Sequence, residues 1–165
     1  GLKVATDFEK AMSGVQAITG ATGEEFEALR NTAIDLGATT AFSSGEVAEA
    51  MTEMAKAGWS TTQIIEGMAG VLDATAASGE NLGSVATIVA DAITGFGLEA
   101  RDSARVADLL TQAANSGTIG ITDLGESYKY VAPLAQSMGL SIEDVTTALS
   151  AMRWAMPPRF PWCCC

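Results

Sequence analysis

The sequence predicts an all-α protein, and three observations support this prediction. Hydrophobic residues make up 48% of the chain, but aromatic residues only 6%, because alanine dominates. Alanine favours helix and allows helices to pack closely. Helix-start signals recur along the chain, and the apolar residues are spaced three and four apart, which is the helical period. We therefore expect about eight helices in successive helical hairpins, with no sheet.

The helix starts are marked by capping boxes. In a capping box, a short polar side chain accepts a hydrogen bond from a backbone N–H, and an acid or amide three residues later reaches back. One such match is weak evidence, but five of them, each beside an apolar run, favour an all-helical chain. The five predicted boxes are Thr22–Glu25, Ser43–Glu46, Ser60–Gln63, Asp123–Glu126 and Ser141–Asp144.

Four stretches place their apolar residues on one helical stripe. Such stripes are typical of the buried side of a helix, and we interpret them as core rather than as a ligand site. The stripes are Val47, Met51, Met54 and Ala55; Ile64, Ile65, Met68, Val71 and Leu72; Leu82, Val85, Ile88, Val89, Ala92, Ile93 and Phe96; and Val145, Ala148, Leu149 and Met152.

The helix ends carry a second repeated signal. In "KAGWST", "GFGLEA" and "SMGLSI" a helix stops at a glycine, a large apolar residue follows, and a new helix begins. A glycine can take the left-handed C′ conformation, and the next apolar residue then folds back onto the helix as a latch. "ITGATGEE" is a looser version, so the turn glycines recur about every forty residues, the length of one helical hairpin. The predicted structural turns are Gly20, Gly58 with Trp59, Gly97 with Leu98, and Gly139 with Leu140.

Two further residues have specific predictions. Pro133 lies inside the helical pattern "YKYVAPLAQSMG", where it removes one backbone hydrogen bond, and we expect a kink there. Trp59 has two interpretations, a binding anchor or the latch that follows a C′ glycine, and its position favours the latch.

Composition argues against several classes of function. The net charge of −11 disfavours a surface that binds nucleic-acid phosphates. The chain has no histidine, and its three cysteines are Cys163–Cys165, which removes the usual zinc sites and catalytic triads. No spaced acidic loop suits calcium, and Glu24, Glu25 and Glu27 resemble a solvated first helical turn. We therefore expect no catalytic residue, cofactor or metal, and neither a signal peptide nor a membrane span.

The stretch from Phe8 to Met152 resembles the core region of phage tail tape-measure proteins, from long-tailed phages and prophages. The resemblance rests on "AGWS", "AASGENL", "FGLEA", "ANSG" and "YKYVAPLA" in that order. It implies a structural protein of the virion tail, involved in tail assembly and tail length determination. The implied partners are other copies of itself and the tail-tube, tail-tip and tail-assembly chaperone proteins, with assembly in the bacterial cytoplasm. The glycine turns further indicate that this part is compact and folded rather than one long extended helix.

The last thirteen residues, Arg153–Cys165, depart from this pattern. Up to Met152 the chain has one proline and no cysteine, and the final segment then holds three of each. The codons for Trp154–Pro157 can be read in the frame that starts at the last base of the tryptophan codon. In that frame they encode three residues: first Gly, then Asp, Asn, His or Tyr, and then Ala. Trp162–Cys165 becomes Val-Leu-Leu in the same frame. We therefore expect residues 1–152 to form the helical domain, without its natural start, and residues 153–165 to be a frameshifted segment.

Two alternatives remain open at this stage. One is a metal-binding or palmitoylated function for Cys163–Cys165, although adjacent cysteines lack the spacing of a zinc clip. The other is that the whole chain is an unrelated all-helical repeat module that binds a protein on a concave face.

Overall fold

The computed structural model describes residues 2–115 and 120–155, and these residues form an all-α fold. Eight α-helices and one 3-10 turn follow each other, and no strand occurs among these residues, so the predicted fold class is confirmed. The helices are α1 Leu2–Thr19, α2 Glu24–Thr39, α3 Ser44–Lys56, α4 Thr61–Ser78, α5 Leu82–Phe96, α6 Ser103–Asn115, α7 Ile121–Ser137 and α8 Ile142–Ala155, with the 3-10 turn at Ala100–Asp102.

Except for α2, which packs chiefly against α3, each helix packs chiefly against a helix two places along the chain. In one layer α1 contacts α3, α3 contacts α5, and α5 contacts α7. In the second layer α4 contacts both α2 and α6, and α6 contacts α8. The successive hairpins therefore stack side by side into a two-layer array, and the hydrophobic core lies between the layers.

Close helix packing depends on residues without side chains at the crossings. A Cβ on Gly70 of α4 would lie 2.6 Å from the backbone nitrogen of Ala104 in α6. A Cβ on Gly125 of α7 would lie 2.6 Å from Cγ1 of Ile88 in α5. Real Cβ atoms do not approach other atoms so closely, so these glycines set the spacing between alternate helices.

Three of the five predicted capping boxes form. The side chain of Ser43 accepts from Glu46 N, while Ser43 N donates to Glu46 Oε2 at 2.8 Å. Ser60 and Gln63 form the same reciprocal pair at the start of α4. Ser141 and Asp144 form the third, with Ser141 N donating to Asp144 Oδ2 at 3.1 Å and Asp144 N donating to Ser141 Oγ at 3.2 Å.

The other two predicted boxes are wrong, because each helix begins elsewhere. Helix α2 is capped by Gly23, which makes no side-chain hydrogen bond, so Thr22 lies outside the cap position. Helix α7 begins at the buried residue Ile121, and Asp123 therefore lies within the first turn. An acid in the first turn favours the helix through the positive end of its dipole without being the cap.

Burial confirms three of the four apolar stripes and corrects the fourth. The stripes of α3, α4 and α5 are buried, apart from Ile65, which is half-buried against the core. In α8, Val145 is buried and Leu149 is half-buried, but Ala148 and Met152 are exposed. The fourth stripe is thus only partly core, because no described helix covers the far end of α8.

Candidate functional site

The predicted turn glycines all lie in left-handed backbone. Their φ angles are 69° at Gly20, 91° at Gly58, 67° at Gly97 and 71° at Gly139. At Gly58 the turn is a Schellman motif, since Gly58 N donates to Ala55 O and Trp59 N donates to Met54 O. The turns at Gly97 and Gly139 have the same pair of bonds. Two more glycines, Gly23 and Gly79, also have positive φ and were not predicted.

The residues after these glycines are buried to different extents. Trp59 is buried, and its ring lies over Gly67 of α4, where a Cβ would collide with Trp59 Cζ3. Leu98 is half-buried against the core, whereas Leu140 remains 44% exposed. Trp59 therefore occupies the geometry of a latch and offers little of its ring to a ligand. Leu140 makes the backbone hydrogen bond of such a turn, but its exposed side chain does not pack as a latch.

Pro133 does not interrupt its helix. Helix α7 runs continuously from Ile121 to Ser137 with Pro133 inside it. Pro133 itself is exposed, so the carbonyl that loses a backbone donor at this turn lies on the solvent side.

An open acidic cleft of about 760 Å³ lies along α1, α3 and the start of α5. Its lining includes one lysine, Lys10, and several carboxylates. Two of its polar side chains belong to helix caps: Glu46 is part of the α3 box, and Asn81 caps α5 by accepting from Ser84 N at 3.2 Å. The carboxylates that line the cleft are Asp7, Glu46, Glu49, Glu53 and Glu80.

Hydrogen bonding in the Glu46 box changes its titration. The backbone N–H of Ser43, and then its hydroxyl, hold the pKa of Glu46 below its ordinary value. Among the residues that the structure describes, no three acidic, histidine or cysteine side chains are placed to hold a metal ion together. The cleft is therefore a negatively charged groove that repels anionic partners.

Apolar side chains are exposed mainly at the other end of the array. Seven large hydrophobic residues are exposed among the described residues, and five of them lie in the C-terminal hairpin, α7 and α8. Tyr130 and Leu134 of α7 and its C-cap residue Met138 recur at a spacing of four, which places them on one side of the helix. We call these five residues the C-terminal apolar face: Tyr130, Leu134, Met138, Leu140 and Met152.

This face lies opposite the side of α7 that packs in the core. Tyr128 is buried, and its ring meets the ring of Phe96 in α5 edge to face, with centroids 5.5 Å apart. Thr146 Oγ1 donates to Ile142 O, so the Tyr128 hydroxyl donates to Thr146 at 2.5 Å and ties α7 to α8. Burial raises the pKa of Tyr128. Tyr130, two residues on, points away from that contact and is 81% exposed.

The sequence prediction missed the C-terminal apolar face. Its signal was present, since Tyr130, Leu134 and Met138 are four residues apart. The same helix carries a second apolar stripe with Leu124 and Tyr128, which is the buried one. Two stripes on one helix cannot be ranked without knowledge of which side the rest of the array covers.

No described helix is both long and apolar enough to cross a bilayer. Residues 30–155 match the model of a family described as phage-related minor tail protein. The chain belongs to this family. The resemblance to tape-measure proteins that the sequence motifs indicated is confirmed by the same comparison and by three relatives.

The relatives carry the tape-measure name. The tape measure protein of Pneumococcus phage Dp-1 is 43% identical over 151 residues, which cover 92% of this chain and 13% of that protein. The probable tape measure protein of Escherichia phage P2 is 27% identical over 148 residues, 88% of this chain and 18% of the relative. That of Clostridium phage phiCD119 is 23% identical over 147 residues, 87% and 16% respectively. The chain thus spans less than a fifth of the length of these relatives, and no solved structure matches it.

Proposed function

We propose that this chain is a folded segment of a phage tail tape-measure protein and that its role is structural. The observation that carries the proposal is the 43% identity to the Dp-1 tape measure protein over nearly the whole chain. The phage minor tail family model, which matches residues 30–155, supports the same role in tail assembly and tail length determination. Nothing in the comparisons favours an unrelated helical-repeat binding module.

The proposed place of action is the virion tail, after assembly in the bacterial cytoplasm. The proposed partners are other copies of the same protein and the tail-tube, tail-tip and tail-assembly chaperone proteins. No enzymatic step is part of this proposal. Its support is that the relatives are named tape measure proteins, a name that indicates a structural role.

The geometry refines how this segment would act. One continuous helix through residues 2–155 would be on the order of 230 Å long. The described residues of this range instead form helices of at most 18 residues, the longest of which are about 27 Å long. We propose that the segment is a compact part of the tape measure protein and adds little to the length that is measured.

An in-frame deletion in the phage or prophage that encodes this chain tests both statements. We expect deletion of the segment to abolish tail assembly, or to leave tail length unchanged, in electron micrographs. As a matched control, an equally long deletion in a continuous helical stretch elsewhere in the same protein should shorten the tail by about 230 Å. Viable tails shortened by that amount after deletion of this segment would show that it acts as an extended ruler. Normal virions without this polypeptide would contradict the tail role itself.

A further inference from the structure

The odd-numbered helices form one layer in which each inner helix lies between two others. Helix α3 contacts α1 and α5, and α5 contacts α3 and α7. The α5–α7 contact is close at two points: a Cβ added to Gly125 would lie 2.6 Å from Ile88 Cγ1, and one added to Gly95 would lie 3.0 Å from Ala132 Cβ. From the first point to the second both helices advance by seven residues, from 88 to 95 and from 125 to 132, so α5 and α7 run in the same direction.

Helix α7 has a neighbour of this layer on one side only. Its residues Gly125, Tyr128 and Ala132 face α5. Tyr130 and Leu134 lie on the opposite side and are 81% and 61% exposed, so none of the described helices covers that side. The open side of α7 is therefore the position that the next helix of the layer would occupy.

The close crossings between alternate helices show what such a neighbour must be like. In both layers a glycine lies on one side of a close crossing, Gly125 against Ile88 in the odd-numbered layer and Gly70 against Ala104 in the even-numbered one. Small residues let two helix backbones approach each other, and larger side chains fill the remaining space. The open side of α7 supplies large apolar side chains, so the helix that fits it supplies glycine or alanine.

We propose that the open side of α7 is covered, in the full-length protein, by the next helix of the same polypeptide after α8. This helix packs on α7 as α7 packs on α5, and it brings glycine or alanine residues at a helical spacing against Tyr130, Leu134 and Met138. The relatives contain further chain, because this chain corresponds to only 13% of the Dp-1 tape measure protein. The inference concerns the packing of the array, so it does not depend on a role in phage tails.

Two other occupants fit this surface less well. A second copy of the chain would set the large residues of one α7 against the same large residues of another, without the small residues that the close crossings use. Residues 153–165 hold three prolines, which oppose a helix. The surface therefore favours an amphipathic helix of the same protein with small residues on its apolar side.

Nitration of tyrosine tests the proposal, because the chain has two tyrosines and they lie on opposite sides of α7. Tyr128 is buried and Tyr130 is exposed, so Tyr128 is the internal control. Tetranitromethane is applied to the chain after its cysteines have been blocked, and mass spectrometry of the peptides gives the rate at each tyrosine. The unextended chain should react at Tyr130 and remain almost unreacted at Tyr128.

Two extended chains supply the proposed helix. In the first, one base inserted before the Trp154 codon moves translation of the gene into the shifted frame, and about 40 further codons are expressed, the length of one helical hairpin. In the second, residues 1–152 are followed by the about 40 residues that come after the matching stretch of the Dp-1 tape measure protein. We expect nitration of Tyr130 to slow at least about tenfold in at least one of them, with Tyr128 unchanged.

Matched variants of the protected chain locate the contact. Leu134→Glu places a charge under the added helix and should return the nitration rate of Tyr130 to within about twofold of its value in the unextended chain. Ile34→Glu is the control: Ile34 is also a partly exposed apolar residue, at 43%, but it lies in α2, and its replacement should leave the protection unchanged. Circular dichroism verifies that each variant remains helical.

Four results would overturn the inference. The first is a Tyr130 that reacts as fast in both extended chains as in the unextended one. The second is protection in the unextended chain that grows with protein concentration, which would assign the surface to a second copy. The third is protection in the unextended chain that truncation after Met152 removes, which would assign the surface to residues 153–165. The fourth is an Ile34→Glu variant that loses as much protection as Leu134→Glu does. A chain that proves absent from virions would remove the proposed tail role alone and leave this inference intact.

Discussion

The first three hairpins and the C-terminal hairpin are built from the same kinds of helix, but they bury their apolar residues differently. In α3, α4 and α5 nearly every residue of the predicted stripes is buried. In the C-terminal hairpin, which consists of α7, α8 and the turn between them, five large apolar side chains remain exposed, although the hairpin has a capping box and a left-handed glycine turn like the others. The difference shows that local helix signals and burial are independent: the former depend on neighbours in sequence, the latter on neighbours in space.

The largest expected effect compares two leucines. Leu110 of α6 is fully buried and Leu134 of α7 is 61% exposed, so the same substitution tests the same atoms in both regions. We expect Leu110→Ala to lower the free energy of unfolding by about 2–5 kcal/mol, because it leaves a cavity. Leu134→Ala should change it by no more than about 0.5 kcal/mol in dilute solution. Urea titration measures both, and similar losses would mean that the C-terminal apolar face is covered within one molecule.

Two glycines in helices provide the second comparison. Gly70→Ala would push a methyl group into the backbone of α6 at Ala104, and we expect a loss of about 1–3 kcal/mol. At Gly14 of α1 a methyl group would meet only Thr52 at 3.7 Å, an ordinary contact. Gly14→Ala should therefore stabilise the helix by about 0.5–1 kcal/mol. A gain in melting temperature for both variants would contradict the close α4–α6 contact.

The turn glycines give the third comparison. Alanine at Gly58 or Gly97 should cost on the order of 1 kcal/mol each, because an L side chain is strained at positive φ. The same change at Gly139 tests whether the C-terminal hairpin contributes equally to the fold. Thermal melts of the three variants measure this, and unchanged midpoints in all of them would count against the hairpin turns.

The two capping boxes of α3 and α4 give a smaller, pH-dependent effect. The pKa of Glu46 is lowered in the folded state, so its box stabilises the fold above the unfolded-state pKa of about 4.3 and loses that contribution as pH falls through the lower folded value. Gln63 makes the equivalent bonds in α4 without titrating. Glu46→Gln should therefore remove part of the loss of stability below about pH 4.5, and Gln63→Glu should add to it. Identical acid profiles of both variants and the parent would contradict this assignment.

The smallest expected effect concerns the C-terminal segment. Residues 153–165 are predicted to be out of frame and unselected for packing on the helical domain. Truncation after Met152 should change the free energy of unfolding by no more than about 0.5 kcal/mol. Chemical denaturation under reducing conditions measures it. Loss of folding, or a stoichiometric metal at Cys163–Cys165, would show that this segment contributes to folding or function. These cysteines lie outside the described residues.

Most of the turn geometry could be predicted because its causes are local. Gly58 followed by Trp59 carries both the flexibility and the apolar latch of a Schellman turn within two residues. The boxes predicted at Thr22 and Asp123 are wrong for the same local reason, since a capping pattern can lie one to three residues away from the residue that caps the helix. Which of several possible starts is used depends on burial, as of Ile121, and that is not a local property.

The exposed face could not be predicted from periodicity. The spacing of Tyr130, Leu134 and Met138 is the spacing of a core stripe, and only the contact of Tyr128 with Phe96 shows which side of α7 turns inward.

The sequence by itself determined that the chain is helical, where some of the helices begin and end, and which family motifs it carries. Capping, helix propensity and left-handed glycines act over a few residues, so their effects can be predicted from consecutive residues of the sequence. The tertiary structure alone decided that alternate helices pack together, that Gly70 and Gly125 are the close crossings, and that α7 presents an apolar side to solvent. These features depend on contacts between residues about 35 positions apart, as between Gly70 and Ala104 or Ile88 and Gly125, and the free energy of such contacts depends on burial and fit in space.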